Sequence, residues 1–230
     1  MSVKVLEETL NTVFTSMTDG KAKSVKVLEE TLNTVFTSMT DGKAKTFSDG
    51  IANAVVVFVS SGIVQTIDGG TVTGGTFAGS GTGSLTVTPT KCSSIIESAC
   101  TTMKTMTSGG NDYLAQEIGK ALKQMADDGK VITTVTGTLT PPSSSPVTFG
   151  GSASGSIKCS ETSLVTALKT LFTEMYNKRE EDGYDGNAEF AKKLASEINT
   201  FFTSGTVSTD GSGNLSGSKG SGSFSFIDSA

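Results

Sequence analysis

The chain has 230 residues, 27 of them glycine, neither histidine nor tryptophan, and a formal net charge of −5. Hydrophobic residues other than glycine make up 35 % of it, and glycine brings the apolar share to the usual level for a globular domain. An acidic chain without clustered Lys and Arg is a poor partner for nucleic acid or an anionic membrane, and one without histidine lacks the commonest general base and metal ligand.

The N-terminal segment Ser2–Lys23 reads SVKVLEETLNTVFTSMTDGKAK, and Ser24–Lys45 repeats it letter for letter. No apolar signal-peptide core precedes it, so the expectation is synthesis in a cytoplasm without export by a signal peptide. In the second copy Leu28, Leu32, Val35, Phe36 and Met39 stand at offsets 0, 4, 7, 8 and 11. In the first copy those offsets hold Leu6, Leu10, Val13, Phe14 and Met17. Such spacing is the apolar stripe of a helix with one buried face. One place in the fold therefore has two claimants. The second copy has a short connection to the next element, whereas the first would loop out an insertion of 22 residues. The second copy is expected in the core. The stripe Leu6, Leu10, Val13, Phe14 and Met17 is then the candidate partner-binding surface, fraying or docking on a neighbouring molecule in the manner of a domain swap. An unchanged copy beside diverged ones marks a recent event, natural or engineered.

A second helix follows at Phe47, Ile51, Val55 and Phe58. Gly62 is expected to end it, since a left-handed C′ residue is cheap only without a Cβ. Val64 opens a strand, and Gln65–Val87 alternates Thr, Ser, Val and Gly about a Gly-Gly bend, which predicts a hairpin. The same order then recurs. Cys92, Ile96, Ala99, Cys100 and Met103 take the first-helix offsets, and Leu114, Ile118, Leu122, Met125 and Gly129 the second-helix ones. The hairpin Ile132–Cys159 turns at Pro141–Pro146. In the last third Leu164, Leu168, Leu171, Phe172 and Met175 precede Phe190, Leu194, Ile198, Phe201 and Gly205, and then the hairpin Ser208–Phe226. Small residues on the second helices (Ala52, Gly119, Ala195) suit close approach, and alternate glycines leave one strand face bare for a backbone or sheet to lie against.

The predicted fold class is α+β: three tandem α-α-β-hairpin repeats (24–91, 92–160 and 161–230) packed as one pseudo-threefold domain, preceded by the duplicated first helix in 1–23. One unit alone is too small to bury a core, so the three should pack together.

Little in this pattern carries chemistry, and no cofactor is expected. Cys92 and Cys100 fall on an apolar stripe and Cys159 at a strand end, where packing is the ordinary role. The acidic stretch Glu180–Asn187 lacks the EF-hand spacing and reads as a solvated loop. Gly79–Gly83 lacks the Gly-Lys-Ser/Thr of a P-loop and the helix that should follow it. Glu29 and Glu30 lie off the stripe, on a helix surface.

The segments YLAQEIGKALKQM…GKVITTVTGTLTPP and EFAKKLASEINTFFTSGTVST, each running into a glycine-alternating strand, resemble small tailed-phage and prophage proteins. That resemblance covers the second helix and hairpin of each unit. It implies a virion-associated or assembly role and carries over no catalytic residue. The expected function is therefore a non-enzymatic structural or assembly protein acting through protein–protein contacts, with itself or other particle components, and not with nucleic acid or membrane. The alternative is a module that binds a small ligand or peptide along the Gly-rich strands.

Overall fold

The structure, a computed structural model, describes residues 25–38 and 44–226. Its elements run α1 (Val25–Ser38), α2 (Ala44–Ser60), β1 (Ile63–Val72), β2 (Gly75–Thr86), α3 (Thr90–Met103), α4 (Gly110–Asp127), β3 (Lys130–Thr140), β4 (Val147–Lys158), α5 (Thr162–Lys178), α6 (Gly186–Thr203), β5 (Thr206–Ser212), a 3-10 turn (Gly213–Leu215) and β6 (Ser218–Ser225). Among the described residues the fold is α+β, with six helices and a closed six-stranded antiparallel barrel in the order β1-β2-β3-β4-β5-β6. The stretch 1–24, including Leu6, Leu10, Val13, Phe14 and Met17, lies outside the described residues, as does Met39.

The helices form a ring. Each packs on the next in the chain, and α6 returns to α1. The apolar stripes fill its inside: Leu32, Ile96 and Leu168 on the first helices and Ile51, Ile118 and Leu194 on the second are fully buried. Gly119 shows how closely the helices approach, since a Cβ there would lie 2.3 Å from Cγ2 of Val165 on α5. The second helix of each pair also meets the second strand of the hairpin that follows it, α2 on β2, α4 on β4 and α6 on β6.

The barrel continues this core. At the end facing the helices, Val64, Leu85, Val131, Ile157, Val207 and Phe224 point inward and join the helical cluster. They pair across three joints in one register: Leu85 with Val131, Ile157 with Val207, and Phe224 with Val64. The last of these joints closes the barrel between its first and last strands.

Two residues further in, each joint sets a glycine opposite a threonine: Gly83 with Thr133, Gly155 with Thr209, and Gly222 with Thr66. A Cβ on those glycines would lie 1.9 Å from the Ile132 carbonyl oxygen, 1.8 Å from that of Ser208 and 1.8 Å from that of Gln65. The strands meet this closely only because no side chain stands between them. The bare glycine faces are thus turned inward and used up within the barrel. Each strand is hydrogen-bonded to a neighbour on both sides, so the expected open face is absent among the described strands, and none of them has a free edge.

The glycines after the second helices correct another expectation. Gly62, Gly129 and Gly205 are not among the residues with positive φ, and the cap residues before the last two, Asp128 and Ser204, are right-handed. Their role is space. A Cβ on Gly62 would lie 2.1 Å from the Phe224 ring, on Gly129 3.1 Å from Leu85 Cδ1, and on Gly205 2.8 Å from Ile157 Cδ1. Each makes room for the large residue across the joint, so a left-handed cap was the wrong reason for the right residue.

Candidate functional site

Among the described residues three regions hold features that chemistry or recognition would use: the groove that receives α1, the middle of the barrel, and a surface cleft beside α4.

The groove is walled by α2 and α6, both of which pack on α1. Leu28, Leu32, Val35 and Phe36 are 0–5 % exposed in it. Val35 is seated on Gly50 of α2, where a Cβ would lie 2.2 Å from its Cγ1. Phe36 lies 4.8 Å from Phe190 and 5.6 Å from Phe47, centroid to centroid, and Phe172 lies 5.6 Å from Phe190. Aromatic contacts at such separations add to simple area burial. The helix in this groove is the second copy of the duplicated segment, joined to α2 through five residues.

Midway along the barrel a polar layer separates the helix-side core from a smaller apolar plug of Val72, Phe77, Val135, Leu139, Ala153 and Leu215. Asp68 is 2 % exposed there. Thr66 donates to its Oδ2 at 2.6 Å, and Thr209 on β5 donates to its Oδ1 at 3.3 Å, reaching past β6. Gly220 allows that crossing, because a Cβ at its position would lie 2.2 Å from both Asp68 Oδ1 and Thr209 Oγ1. Thr133, in the matching place on β3, is 1 % exposed and its hydroxyl has no hydrogen-bond partner. Asp68, Val135 and Gly211 take the next inward position on β1, β3 and β5, so the carboxylate stands on one strand only. The sequence held a usable signal for this layer. Val64, Thr66 and Asp68 have one parity along β1, so a buried valine puts the aspartate inside as well.

The cleft beside α4 has a volume of about 420 Å³ and is lined by Ile95, Glu117, Lys120, Lys123, Gln124 and Asp127. Its charges answer one another: Lys120 pairs with Glu117 at 2.5 Å and Lys123 with Asp127 at 2.5 Å. A further hollow of about 540 Å³ borders Lys123, Asp127 and Ser156–Cys159. Both are open at the surface and hold no unpaired buried group to orient a ligand.

The remaining sequence candidates fall to structural places. Burial pushes the Cys92 and Cys159 thiols up to about 12, and raises half-buried Cys100 as well. Such thiols hold almost no thiolate near neutral pH. In the acidic loop, Asp185 caps α6 by accepting from the backbone N–H of Asn187 at 3.1 Å and Ala188 at 3.0 Å. Around it Lys193 bonds Glu174 and holds that carboxyl below its usual range. Lys91, paired with Asp128 at 2.8 Å, does likewise between α3 and the end of α4. Glu29 is partly exposed and Glu30 exposed on the outer side of α1. Among the described residues no three His, Cys, Asp or Glu side chains gather to hold a metal ion, and no helix is long and apolar enough to cross a membrane.

No protein-family model matches this chain, and neither does any curated protein or solved structure.

Proposed function

We propose that the chain is a non-enzymatic structural protein, three tandem α-α-β-β units about a pseudo-threefold axis, that works by protein–protein contact. One observation carries the reading. The ring offers a single groove for α1, while the chain supplies two identical segments made to fill it. Whichever copy is outside the groove presents an amphipathic helix sequence with a Leu/Leu/Val/Phe stripe, the composition that helix-in-groove partners recognise. The contact surface is therefore Leu6, Leu10, Val13, Phe14 and Met17, and its partner is another copy of the chain. The extension to a phage particle leans on the resemblance of the helix and hairpin segments alone.

The alternative, capture of a peptide or small ligand along the Gly-rich strands, has less to support it. Strand addition needs a free edge, and in the described barrel every strand already has two partners.

Sedimentation velocity from low to high micromolar concentration tests the reading on the full chain and on the Leu10→Asp/Phe14→Asp variant. Concentration-dependent oligomers in the former, lost in the latter, are expected. A full chain that stays monomeric throughout would overturn it.

A further inference from the structure

The contacts of α1 define what its groove accepts, and the chain contains that sequence a second time. Every residue of Val25–Ser38 has its identical counterpart 22 positions earlier, in 3–16. Leu6, Leu10, Val13 and Phe14 therefore match Leu28, Leu32, Val35 and Phe36 in kind and spacing. The packing of Val35 on Gly50 and of Phe36 between Phe47 and Phe190 is equally available to Val13 and Phe14.

We infer that the α2–α6 groove is a binding site for residues 3–16 of the same chain as well as for 25–38, so the first copy is a resident spare for α1. Contact energy does not separate the two occupants, because the contacts are the same. What separates them is the connection to α2 at Ala44. Five residues follow Ser38, whereas 27 follow Ser16. Loop-closure probability falls as roughly the three-halves power of length, which favours the short connection by a factor on the order of ten. The connection of 27 residues spans any distance within so small a fold. The spare accordingly occupies the groove in roughly one molecule in ten. Its larger consequence comes when 25–38 is damaged: the loss is capped at the loop ratio, because 3–16 takes over.

Deletion cannot test this, since removing Ser2–Lys23 or Ser24–Lys45 leaves one and the same polypeptide. Point substitutions can. Urea unfolding of the full chain is compared for Leu10→Asp, Leu32→Asp and the double variant. The expected result is no measurable change for Leu10→Asp. Leu32→Asp should lose on the order of tenfold in the folding constant, and the double variant at least a hundredfold, since no intact stripe remains for the groove. A Leu32→Asp protein as unstable as the double variant overturns the inference. So does a rescue that appears only as protein concentration rises, which gives the groove to the segment of another chain. A monomeric wild-type chain would sink the assembly reading and leave this one standing.

Discussion

The helix ring and the barrel joints solve the same problem, bringing six elements into a closed circle, with opposite means. In the ring, neighbours are held by what the side chains are. Leu28, Leu32, Ile96, Leu168 and Ile198 interlock in a core 0–2 % exposed, and the packing of each is shared over many contacts. In the joints, neighbours are held by what is missing. Gly83, Gly155 and Gly222 stand against carbonyl oxygens where a single carbon would overlap by more than an ångström. Side-chain packing can relax after a deletion, because surrounding atoms move into part of the space. A backbone carbonyl already engaged between strands has no rotamer to retreat into. The two regions should therefore answer mutation on different scales.

Gly222→Ala attacks the joint that closes the barrel and should have the largest effect. We expect a loss of about 4 kcal/mol or more, beyond the ordinary range for overpacking because the obstacle is backbone, which leaves a domain at the lower end of usual stability barely folded. The urea midpoint reads this directly, and a variant as stable as the parent chain would refute the account of the joints. Leu168→Ala, at a fully buried position of the ring, should lower stability by about 3 kcal/mol and leave the fold intact. Its urea midpoint should shift without a change in slope. Thr133→Val should act in the other direction. It replaces a buried hydroxyl without a partner by a methyl of the same shape, and a gain of about 1 kcal/mol is expected in thermal unfolding. A loss there would mean that the hydroxyl has a role in the barrel interior that Thr66 and Thr209 cannot cover.

The same contrast decides what was legible in the sequence. The helices were, because a stripe with a period of 3.6 is a local signal: Leu28 to Phe36 and Leu114 to Met125 predicted burial that the structure has. The strand starts at Val64, Val131 and Val207 were also legible, since β1, β3 and β5 begin within one residue of them. Closure was not. The pairing of β1 with β6 joins Val64 to Phe224, and nothing near either residue encodes a partner at that separation. Glycine was the ambiguous letter. At 62, 129 and 205 it suggested conformational freedom and proved to be clearance, and at 83, 155 and 222 it suggested an exposed bare face and proved to be a seam. A missing Cβ is compatible with both, and only the neighbour across the joint decides. Asp68 belongs to none of the repeated motifs, although its parity with Val64 along β1 places it inside. The groove around α1 is the opposite case, expected from the second copy's short connection and seen with Val25–Ser38 seated in it.

Both circles are shut by the same stretch of chain. α6 completes the ring against α1, and β6 completes the barrel against β1. During synthesis, then, the first two hairpins leave the ribosome with the outer edge of β1 unpaired and one flank of α1 uncovered, and neither is relieved until residues 186–225 follow. Contacts between such distant parts of a chain form slowly, and an exposed strand edge is a template for the wrong neighbour while it waits. The molecule's vulnerable period is therefore its nascent one, and it ends only with the arrival of α6 and the last strand.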